Sequence, residues 1–289
     1  CMKITRYGCR PGVGRYCPAI ALMQCFQSMG EIAVYKVCGL PPLPLVCALP
    51  AAERVRIILM GICSRLYGER GIPVSFSGHD PSGGRLASSH SHAVFACIPD
   101  ETLSFIEHIV ISLGRPFDSR ERATLEQLFK VWDEGKLTWP LELVCIDTHL
   151  NAAKILPETL EYYLLPSLVW ATVTPYMKTR HLRVKRSEKH SPGVFYNALQ
   201  REMEKNVREE LERRGLPQPH SVTLTPGPCF TVNGQHLKWS DFERSRTESH
   251  DTELDYGHGI TIEFSEPVPG PINLGRHSHF GMGLFRAIE

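Results

Sequence analysis

The chain has 289 residues, of which 22% are charged, and its formal net charge is +1 at pH 7. This balance excludes a globally basic protein, so any surface for nucleic acid must arise from charge that the fold sorts locally. The sequence contains no apolar run long enough for a transmembrane helix, and we therefore expect no membrane partner. The length suits one large domain or two of ordinary size.

The ten cysteines of the sequence form no CxxC pair. Cys63, Cys97 and Cys145 each stand alone in apolar segments, where cysteine behaves as a small hydrophobic residue. Unpaired buried cysteines are typical of a reducing compartment, so we expect a cytoplasmic protein. The first thirty residues show no clear periodicity, and we assign them no function.

The first half of the chain alternates strand and helix patterns. A helical stripe of apolar residues covers Ala51–Tyr67, and Asp118 with Glu121 has the spacing of a capping box that opens a helix. The predicted elements are, in order, a strand over Ile32–Val37, a helix over Ala51–Tyr67, a hairpin of strands over Ser91–Ile98 and Phe105–Leu113, a helix from Asp118 through about Trp132, and a strand over Pro140–Ile146. The order β-α-β-β-α-β is that of a ferredoxin-like unit.

The second half repeats this theme. Apolar residues at four-residue spacing predict a helix over Gly193–Arg214, which Gly215 and Pro217 terminate. The predicted strands are Ser167–Tyr176, His220–Thr225, a stretch near Leu237–Arg244, Gly259–Phe264 and a short final strand at Met282–Phe285. We therefore predict an α+β fold with tandem ferredoxin-like (RRM-like, βαββαβ) domains and a C-terminal glycine-rich loop.

The predicted division of the chain has three parts. Residues 1–50 form an N-terminal segment, and residues 51–160 form the first ferredoxin-like domain, which also takes a strand from residues 31–38. Residues 161–289 form the second ferredoxin-like domain with the glycine-rich loop. The split falls near Asn151–Pro166, and the two halves repeat in topology rather than in sequence.

The glycine-rich loop near the C-terminus is the most informative motif. Its four glycines lie within fourteen positions, so the backbone can adopt positive φ and expose its N–H groups, while its basic side chains are donors suited to phosphate. The glycines are Gly270, Gly275, Gly281 and Gly283, and the basic residues are Arg276, His277 and His279. Many glycine-rich loops are only turns, and that alternative stays open. No helical pattern follows the loop, so neither a P-loop nor a dinucleotide fingerprint fits, and a polyanion is the expected ligand.

A second pair of histidines lies at the start of a predicted strand. Residues i and i+2 of a strand share a face, so His90 and His92 are expected to point to one site. Histidine exchanges protons near neutral pH, which suits the base and the acid of metal-free RNA cleavage. The alternative is that the two histidines only cap the end of the strand.

The densest basic stretch follows the predicted strand at Ser167–Tyr176. Between Lys178 and Lys189 it has six Lys or Arg residues against the single acid Glu188. The candidate phosphate contacts are Lys178, Arg180, His181, Arg183, Lys185 and Arg186. Such contacts would give salt-dependent affinity for RNA, whereas a solvated loop is the alternative interpretation.

The two HxH pairs, His90/His92 and His277/His279, also suggest a metal site, because imidazole nitrogens suit zinc or iron. No carboxylate completes an HxHxDH arrangement, since Ala93, Val94 and Phe95 follow His92. The two-histidine phosphodiesterase pattern, HxT or HxS twice, is also absent. We therefore expect neither a metal nor another cofactor.

An ordered series of motifs resembles the CRISPR-associated RAMP superfamily, and within it the Cas-six-like half of the fused Cas-five/Cas-six subunit of type I-U (I-G) systems. The motifs are AERVR at Ala52–Arg56, SHSHAVF at Ser89–Phe95, IEHIVIS at Ile106–Ser112, VTPYMKTRH at Val173–His181, REELERRGLP at Arg208–Pro217 and GPINLGRHSHFGMGLF at Gly270–Phe285. The resemblance covers roughly residues 50–289. Residues 1–50 are then expected to be the remnant of a Cas-five-like domain.

The resemblance implies metal-independent cleavage of the repeat in CRISPR precursor RNA. The 2′-hydroxyl attacks the adjacent phosphate, which leaves a 2′,3′-cyclic phosphate and a 5′-hydroxyl end. It further implies that the glycine-rich loop contacts the RNA backbone, that His90 and His92 are catalytic, and that Arg180 and His181 adjoin the phosphate. Repeat or guide RNA and other subunits of a type I interference complex are the implied partners.

Two alternative functions remain open at the level of sequence. The first is a non-catalytic RNA-binding subunit that caps a guide RNA in an interference complex. The second is a metal-dependent hydrolase that uses both HxH pairs, which the missing carboxylate disfavours.

Overall fold

Two large antiparallel sheets with helices packed on their faces, and a separate two-stranded hairpin, form an α+β fold among the described residues. The computed structural model describes residues 30–79, 92–133, 137–152, 157–179, 191–225, 231–232, 235–242 and 257–288. Its helices are α1 (Ala48–Tyr67), α2 (Val74–Ser77), α3 (Ser119–Leu125), α4 (His149–Ala152), α5 (Glu158–Leu164) and α6 (Pro192–Arg213). Its strands are β1 (Glu31–Val37), β2 (Val94–Pro99), β3 (Ile106–Leu113), β4 (Lys130–Trp132), β5 (Thr138–Thr148), β6 (Ser167–Thr172), β7 (Ser221–Thr225), β8 (Thr231–Val232), β9 (Gln235–His236), β10 (Gly259–Val268) and β11 (Phe285–Ala287). None of the helices in these ranges is long and apolar enough to cross a membrane.

The first sheet has the strand order of a ferredoxin-like unit with one strand added at its edge. Its order is β2-β3-β1-β5-β4, so β1 lies between β3 and β5 and pairs antiparallel with both. Helix α1 connects β1 to β2, and α3 lies between β3 and the β4–β5 hairpin. Without β4, the order is fourth, first, third, second strand, which is the βαββαβ arrangement.

The second sheet repeats this order as β11-β6-β10-β7. Helix α6 connects its first two strands, β6 and β7. Between β10 and β11, where a ferredoxin-like unit has its second helix, the chain instead forms the glycine-rich loop with one 3-10 turn, Ser278–Phe280. The two strand orders confirm the predicted tandem ferredoxin-like fold, whereas the predicted domain boundaries stay predictions.

Both faces of the first sheet are covered. Along β1, Ala33 and Tyr35 belong to the apolar cluster that α1 covers, and Ile32 and Val34 belong to a cluster with α5 on the opposite face. This two-residue alternation follows from the strand period, which sends successive side chains to opposite faces. Burial on two faces explains why β1 is apolar at four successive positions.

The helix predicted from Asp118 through about Trp132 is shorter than expected. The capping box is present, since the Asp118 carboxylate accepts the Glu121 N–H and the Glu121 carboxylate accepts the Asp118 N–H, each at 2.8 Å. The helix nevertheless ends at Leu125, because Lys130–Trp132 pairs with the strand Thr138–Thr148. Buried Leu125, Leu128 and Val131 stand three residues apart, a spacing that imitates a helical stripe.

Several other predicted boundaries are wrong by a few residues. The strand predicted at Ser91–Ile98 begins at Val94, and the strand predicted at Ser167–Tyr176 ends at Thr172, since Pro175 cannot donate to a ladder. The stretch near Leu237–Arg244 contains a 3-10 turn at Trp239–Asp241, and its last two residues lie outside the described ranges. The final strand is Phe285–Ala287 rather than Met282–Phe285.

The predicted burial of cysteines is confirmed for two of the three positions. Cys63 and Cys97 are buried, and Cys145 is half-buried. Burial raises the pKa of the Cys97 thiol to about 12, so this thiol stays protonated at neutral pH.

Two glycine substitutions provide a matched test of this packing. Gly283 has φ +57°, and a Cβ there would lie 1.8 Å from the Leu274 carbonyl oxygen, so Gly283→Ala should lower the free energy of unfolding by more than about 2 kcal/mol. Gly61 lies inside α1 with nothing within 4 Å of an added Cβ. Gly61→Ala should raise the free energy of unfolding by about 0.5–1 kcal/mol. Urea denaturation measures both, and equal effects would contradict this account of the loop.

Candidate functional site

The glycine-rich loop crosses three apolar clusters of the molecule. Ile272, Leu274 and Phe285 belong to the cluster between the second sheet and α6. Met282 belongs to the cluster between α1 and the first sheet, and Leu284 to the cluster between the first sheet and α5. Each buried apolar side chain contributes on the order of 1.5–3 kcal/mol, so the loop is held firmly against both units.

Two glycines of the loop do not offer their N–H groups to a ligand. The Gly275 N–H donates to both carboxylate oxygens of Glu210, at 2.9 and 3.0 Å, and the Gly283 N–H donates to the Pro175 carbonyl at 3.0 Å. The prediction that the loop exposes these donors is therefore wrong. Both glycines are buried, and their backbone is bonded within the protein.

The other two glycines are required for close packing. A Cβ at Gly270 would lie 2.0 Å from the Tyr163 carbonyl oxygen and 2.8 Å from the Trp170 ring. A Cβ at Gly281 would lie 3.3 Å from the Phe95 carbonyl oxygen on β2. Gly270 and Gly281 are buried, so side chains rather than glycine N–H groups are the loop's means of contacting a ligand.

A buried carboxylate fixes the loop to helix α6. The Glu210 side chain is only 5% exposed, and it accepts a 2.6 Å hydrogen bond from Arg214 as well as the bonds from the Gly275 N–H. The same Arg214 nitrogen donates to the Ser278 hydroxyl at 2.8 Å. Because charged hydrogen bonds in a buried site are strong, this network sets where the loop's 3-10 turn stands relative to α6.

Two histidines from different units meet beside this turn. His92 lies two residues before β2, and the intervening Ala93 N–H donates to the Ser75 carbonyl at 2.9 Å. His279 lies in the 3-10 turn Ser278–Phe280, and its ring centroid is 5.6 Å from that of His92, edge to face. Because His92 lies before the strand, the strand period does not determine where its side chain points, and a site shared with His90 stays a prediction. His90 lies outside the described residues.

The backbone before the turn adopts a rare conformation. His277 has φ +61°, in the left-handed region that disfavours most residues other than glycine. Its cost is of order 1–3 kcal/mol, and such positions persist where the surroundings over-determine them. Here the two flanking anchors are the Gly275 N–H bond to Glu210 and the packing of Gly281 on β2.

The environment of His92 favours a neutral imidazole. Burial lowers its pKa below the usual value, and electrostatic interactions with Arg56 and with His79 lower it further. Arg56 is held in place because its guanidinium donates to the carbonyls of Phe76 at 2.7 Å and of Ser77. At neutral pH His92 is therefore ready to accept a proton.

A cleft of about 370 Å³ opens on one side of the histidine pair. It is lined by Arg213, Arg214, Arg276 and His277 in addition to the pair, and by Glu210. Glu210 has Arg214 as its partner, and among the described residues that line the cleft three arginines, Arg213, Arg214 and Arg276, stand against this one acid. The cleft therefore suits an anion that carries oxygen acceptors, such as a phosphodiester.

The predicted site residues are brought together only in part. Those that line the cleft are His92, Gly275, Arg276, His277 and His279. Half-buried Lys178 lies beside it, between the cleft residue Thr179 and Met177, whose carbonyl accepts the Arg276 N–H at 2.7 Å. Gly270, Gly281 and Gly283 have packing roles. The remaining candidates, Arg180, His181, Arg183, Lys185 and Arg186, lie outside the described residues.

Four residues of this region were missed by the sequence analysis. Glu210, Arg213 and Arg214 lie in the predicted Gly193–Arg214 helix, whose charges of both signs indicate an ordinary solvated helix and assign these residues no role. Arg56 lies in the predicted Ala51–Tyr67 helix and ends the AERVR motif, and neither feature gives it a role in a site. The available signal was the adjacent Arg213–Arg214 pair just before the helix-ending Gly215, a place where cations are favoured by the helix dipole.

Removing the Glu210 carboxylate tests the proposed anchor of the loop. Glu210→Ala leaves the Gly275 N–H and Arg214 without this acceptor, so the free energy of unfolding should fall by about 1–3 kcal/mol. Amide hydrogen exchange at Gly275 should accelerate at least about tenfold. Glu212→Ala, at an exposed position on the same helix, is the control and should change neither quantity. Unchanged exchange at Gly275 in Glu210→Ala would contradict the anchor.

No protein-family model matches the chain, and no curated protein matches it. Similar solved structures include one of Cas6b, with 11% identity and a TM-score of 0.41 over 89% of this chain and 100% of that chain. Another is of an RAMP protein that binds different RNA substrates, with 12% identity and a TM-score of 0.37 over 90% and 100%. A Cas6-related protein from Pyrococcus furiosus has 12% identity and a TM-score of 0.38 over 90% and 99%. With TM-scores below 0.5, these likenesses assign no chemistry to the cleft.

Proposed function

We propose that the protein is a metal-independent endoribonuclease that cleaves CRISPR repeat RNA in the cleft beside His92 and His279. The observation that carries the proposal is the meeting of these two imidazoles, 5.6 Å apart, at the edge of a cleft with excess positive charge. The motif resemblance supplies the class of RNA. Cleavage of this kind needs a base, an acid and cations around one phosphate, and the cleft contains residues of each type.

His92 is proposed as the general base. Its pKa is lowered by burial and by Arg56 and His79, so one of its two ring nitrogens carries no proton at neutral pH. It would take the proton of the 2′-hydroxyl as the oxygen forms a bond to the adjacent phosphorus. The P–O5′ bond then breaks, which leaves a 2′,3′-cyclic phosphate on one product.

His279 is proposed as the group that protonates the leaving 5′-oxygen. It is adjacent to His92 but belongs to the glycine-rich loop, so it contacts the substrate from the second unit. Arg276 and Arg213 are proposed to stabilise the charge that develops on the phosphate oxygens. Donors held in place before the reaction are worth most in such a role, and the Glu210 anchor would hold the loop.

His90 stays a catalytic candidate from the sequence, as do the basic residues Arg180 and His181 next to the phosphate. Arg180 and His181 would add positive charge to the same cleft, because Thr179 lines the cleft and directly precedes Arg180. The described residues contain no group of three or more His, Cys, Asp or Glu side chains placed to hold a metal ion. Metal-dependent hydrolysis by both HxH pairs is tested with a chelator below.

Substitution of His92 tests the proposed mechanism. In EDTA, His92→Ala should reduce the single-turnover rate of repeat RNA cleavage by about 10²–10⁴-fold, because the base is lost, while RNA affinity is kept. His279→Ala should have an effect of the same order. His220→Ala, at an exposed position outside the cleft, is the control and should retain the wild-type rate.

Three outcomes would contradict the proposal in different ways. Full activity of His92→Ala would refute its catalytic role. Tight binding of repeat RNA by the wild-type protein without any cleavage would instead favour a non-catalytic RNA-binding subunit. Loss of cleavage in EDTA that zinc or iron restores would favour the metal-dependent hydrolase.

The pH dependence of cleavage tests the electrostatic environment of the base. A neutral base is required, so on the acidic side of the profile the rate should rise with pH through the pKa of His92, with a midpoint below the usual histidine value of about 6.5. Arg56→Gln removes a positive charge that disfavours protonation of His92, so the acidic limb should move to higher pH. Arg65→Gln, at an exposed position on the same helix, should leave the limb in place. A limb that does not move in Arg56→Gln would contradict the assignment.

A further inference from the structure

A second pocket lies on the other side of the histidine pair. It has a volume of about 240 Å³ and shares His92 and His279 with the cleft of about 370 Å³ that Arg213, Arg214 and Arg276 line. Its other walls include Arg56, Phe280 and the short helix α2 with Phe76. The two imidazoles thus separate a cleft suited to phosphate from a pocket with aromatic walls.

We propose that this pocket binds one nucleobase next to the phosphate held in the cleft, and that it selects a base that presents carbonyl oxygens. The assignment rests on the proposed function, since it takes the ligand of the cleft to be a phosphate of an RNA strand. In such a strand each base is joined through one ribose to its phosphate. A base site adjoining a phosphate site is therefore geometrically natural.

The size of the pocket limits its occupant to a single ring system. Sites for drug-sized ligands have volumes of about 300–1,000 Å³, and this pocket is smaller. Planar groups also shape it. The Phe280 ring stacks on Phe95 with 6.5 Å between centroids and 8° between planes, and the Arg56 guanidinium carbon lies 5.8 Å from the Phe280 centroid. Half-exposed Phe280 still has surface to offer a base.

The polar groups of the pocket favour a ligand that accepts hydrogen bonds. Arg56, His79 and the two shared histidines contribute positive charge or ring N–H donors, and no acidic side chain of the described residues lines the pocket. The nearby carbonyls of Phe76 and Ser77 already accept from Arg56. Uracil has two carbonyl oxygens and no amino group, so it matches this environment better than adenine, which has an amino group and no carbonyl.

Rigidity of the wall supports selection. Arg56 is fixed by its two carbonyl acceptors, and the Phe280 turn is fixed by the packing of Gly281 on β2 and of Met282 in the first core. A pocket built from such fixed groups loses little freedom when a ligand enters, which increases affinity.

Titrations with small ligands test the pocket without any need for cleavage. Calorimetry on the full chain compares inorganic phosphate, ribose 5-phosphate, uridine 3′-phosphate and adenosine 3′-phosphate. Uridine 3′-phosphate should bind at least about 5-fold more tightly than ribose 5-phosphate, the lower end of the gain from base–aromatic contact. Adenosine 3′-phosphate should bind more weakly than uridine 3′-phosphate.

Two variants test whether the tighter binding of uridine 3′-phosphate comes from the aromatic wall of the pocket. Phe280→Leu keeps an apolar residue but removes the ring, so the advantage of uridine 3′-phosphate over ribose 5-phosphate should disappear while the affinity for inorganic phosphate stays at the wild-type value. Phe129→Leu, at a site 62% exposed and outside the pocket, should keep the advantage.

The proposal fails if uridine 3′-phosphate binds no more tightly than ribose 5-phosphate, or if Phe280→Leu retains the advantage. Equal binding of adenosine 3′-phosphate would overturn the selection for carbonyl oxygens. Failure of the nuclease proposal would give a different result. Uridine 3′-phosphate would still bind more tightly than ribose 5-phosphate, but the protein would not cleave repeat RNA in EDTA.

Discussion

The glycine-rich loop between β10 and β11 is the constraint on which the site depends, because it joins the two ferredoxin-like units. In a ferredoxin-like unit, a second helix between these strands packs on the sheet of the same unit. The loop instead contributes Met282 to the core of the first unit and Leu284 to the core between the first sheet and α5. Its glycines permit this course, since a Cβ at Gly283 would collide with the Leu274 carbonyl. As a consequence His279 is held beside His92, a residue of the other unit.

The electrostatics of the cleft follow from the same anchoring. The whole chain carries a net charge of only +1, yet the described residues that line the cleft include Arg213, Arg214 and Arg276 and the single acid Glu210. Glu210 forms an ion pair with Arg214 and accepts hydrogen bonds from the Gly275 N–H. Its carboxylate therefore orients the loop, and the ion pair reduces its repulsion of a bound anion. On the opposite side, burial and Arg56 keep His92 neutral. Cations and a neutral base thus lie next to one another around the same cleft.

The sequence predicted the topology well because strand and helix periods are local signals. The order of elements, the capping box at Asp118 and the ends of the Pro192–Arg213 helix are read from neighbouring residues. The site was predicted less well, since it depends on contacts over long separations. Glu210 bonds to Gly275, 65 positions away, and nothing in either motif alone signals that contact. The glycine pattern alone therefore predicts exposed donors, although the N–H groups of Gly275 and Gly283 are bonded inside the protein.

The central claim is that this cleft cleaves RNA by attack of the 2′-hydroxyl without a metal. The most direct test is to incubate the protein with CRISPR repeat RNA in EDTA and to map the chemistry of both product ends. The account predicts a 2′,3′-cyclic phosphate on the upstream product and a 5′-hydroxyl on the downstream product. It also predicts that a single 2′-deoxy substitution at the nucleotide before the scissile phosphate abolishes cleavage. A 5′-phosphate end, or full cleavage of the 2′-deoxy substrate, would contradict it.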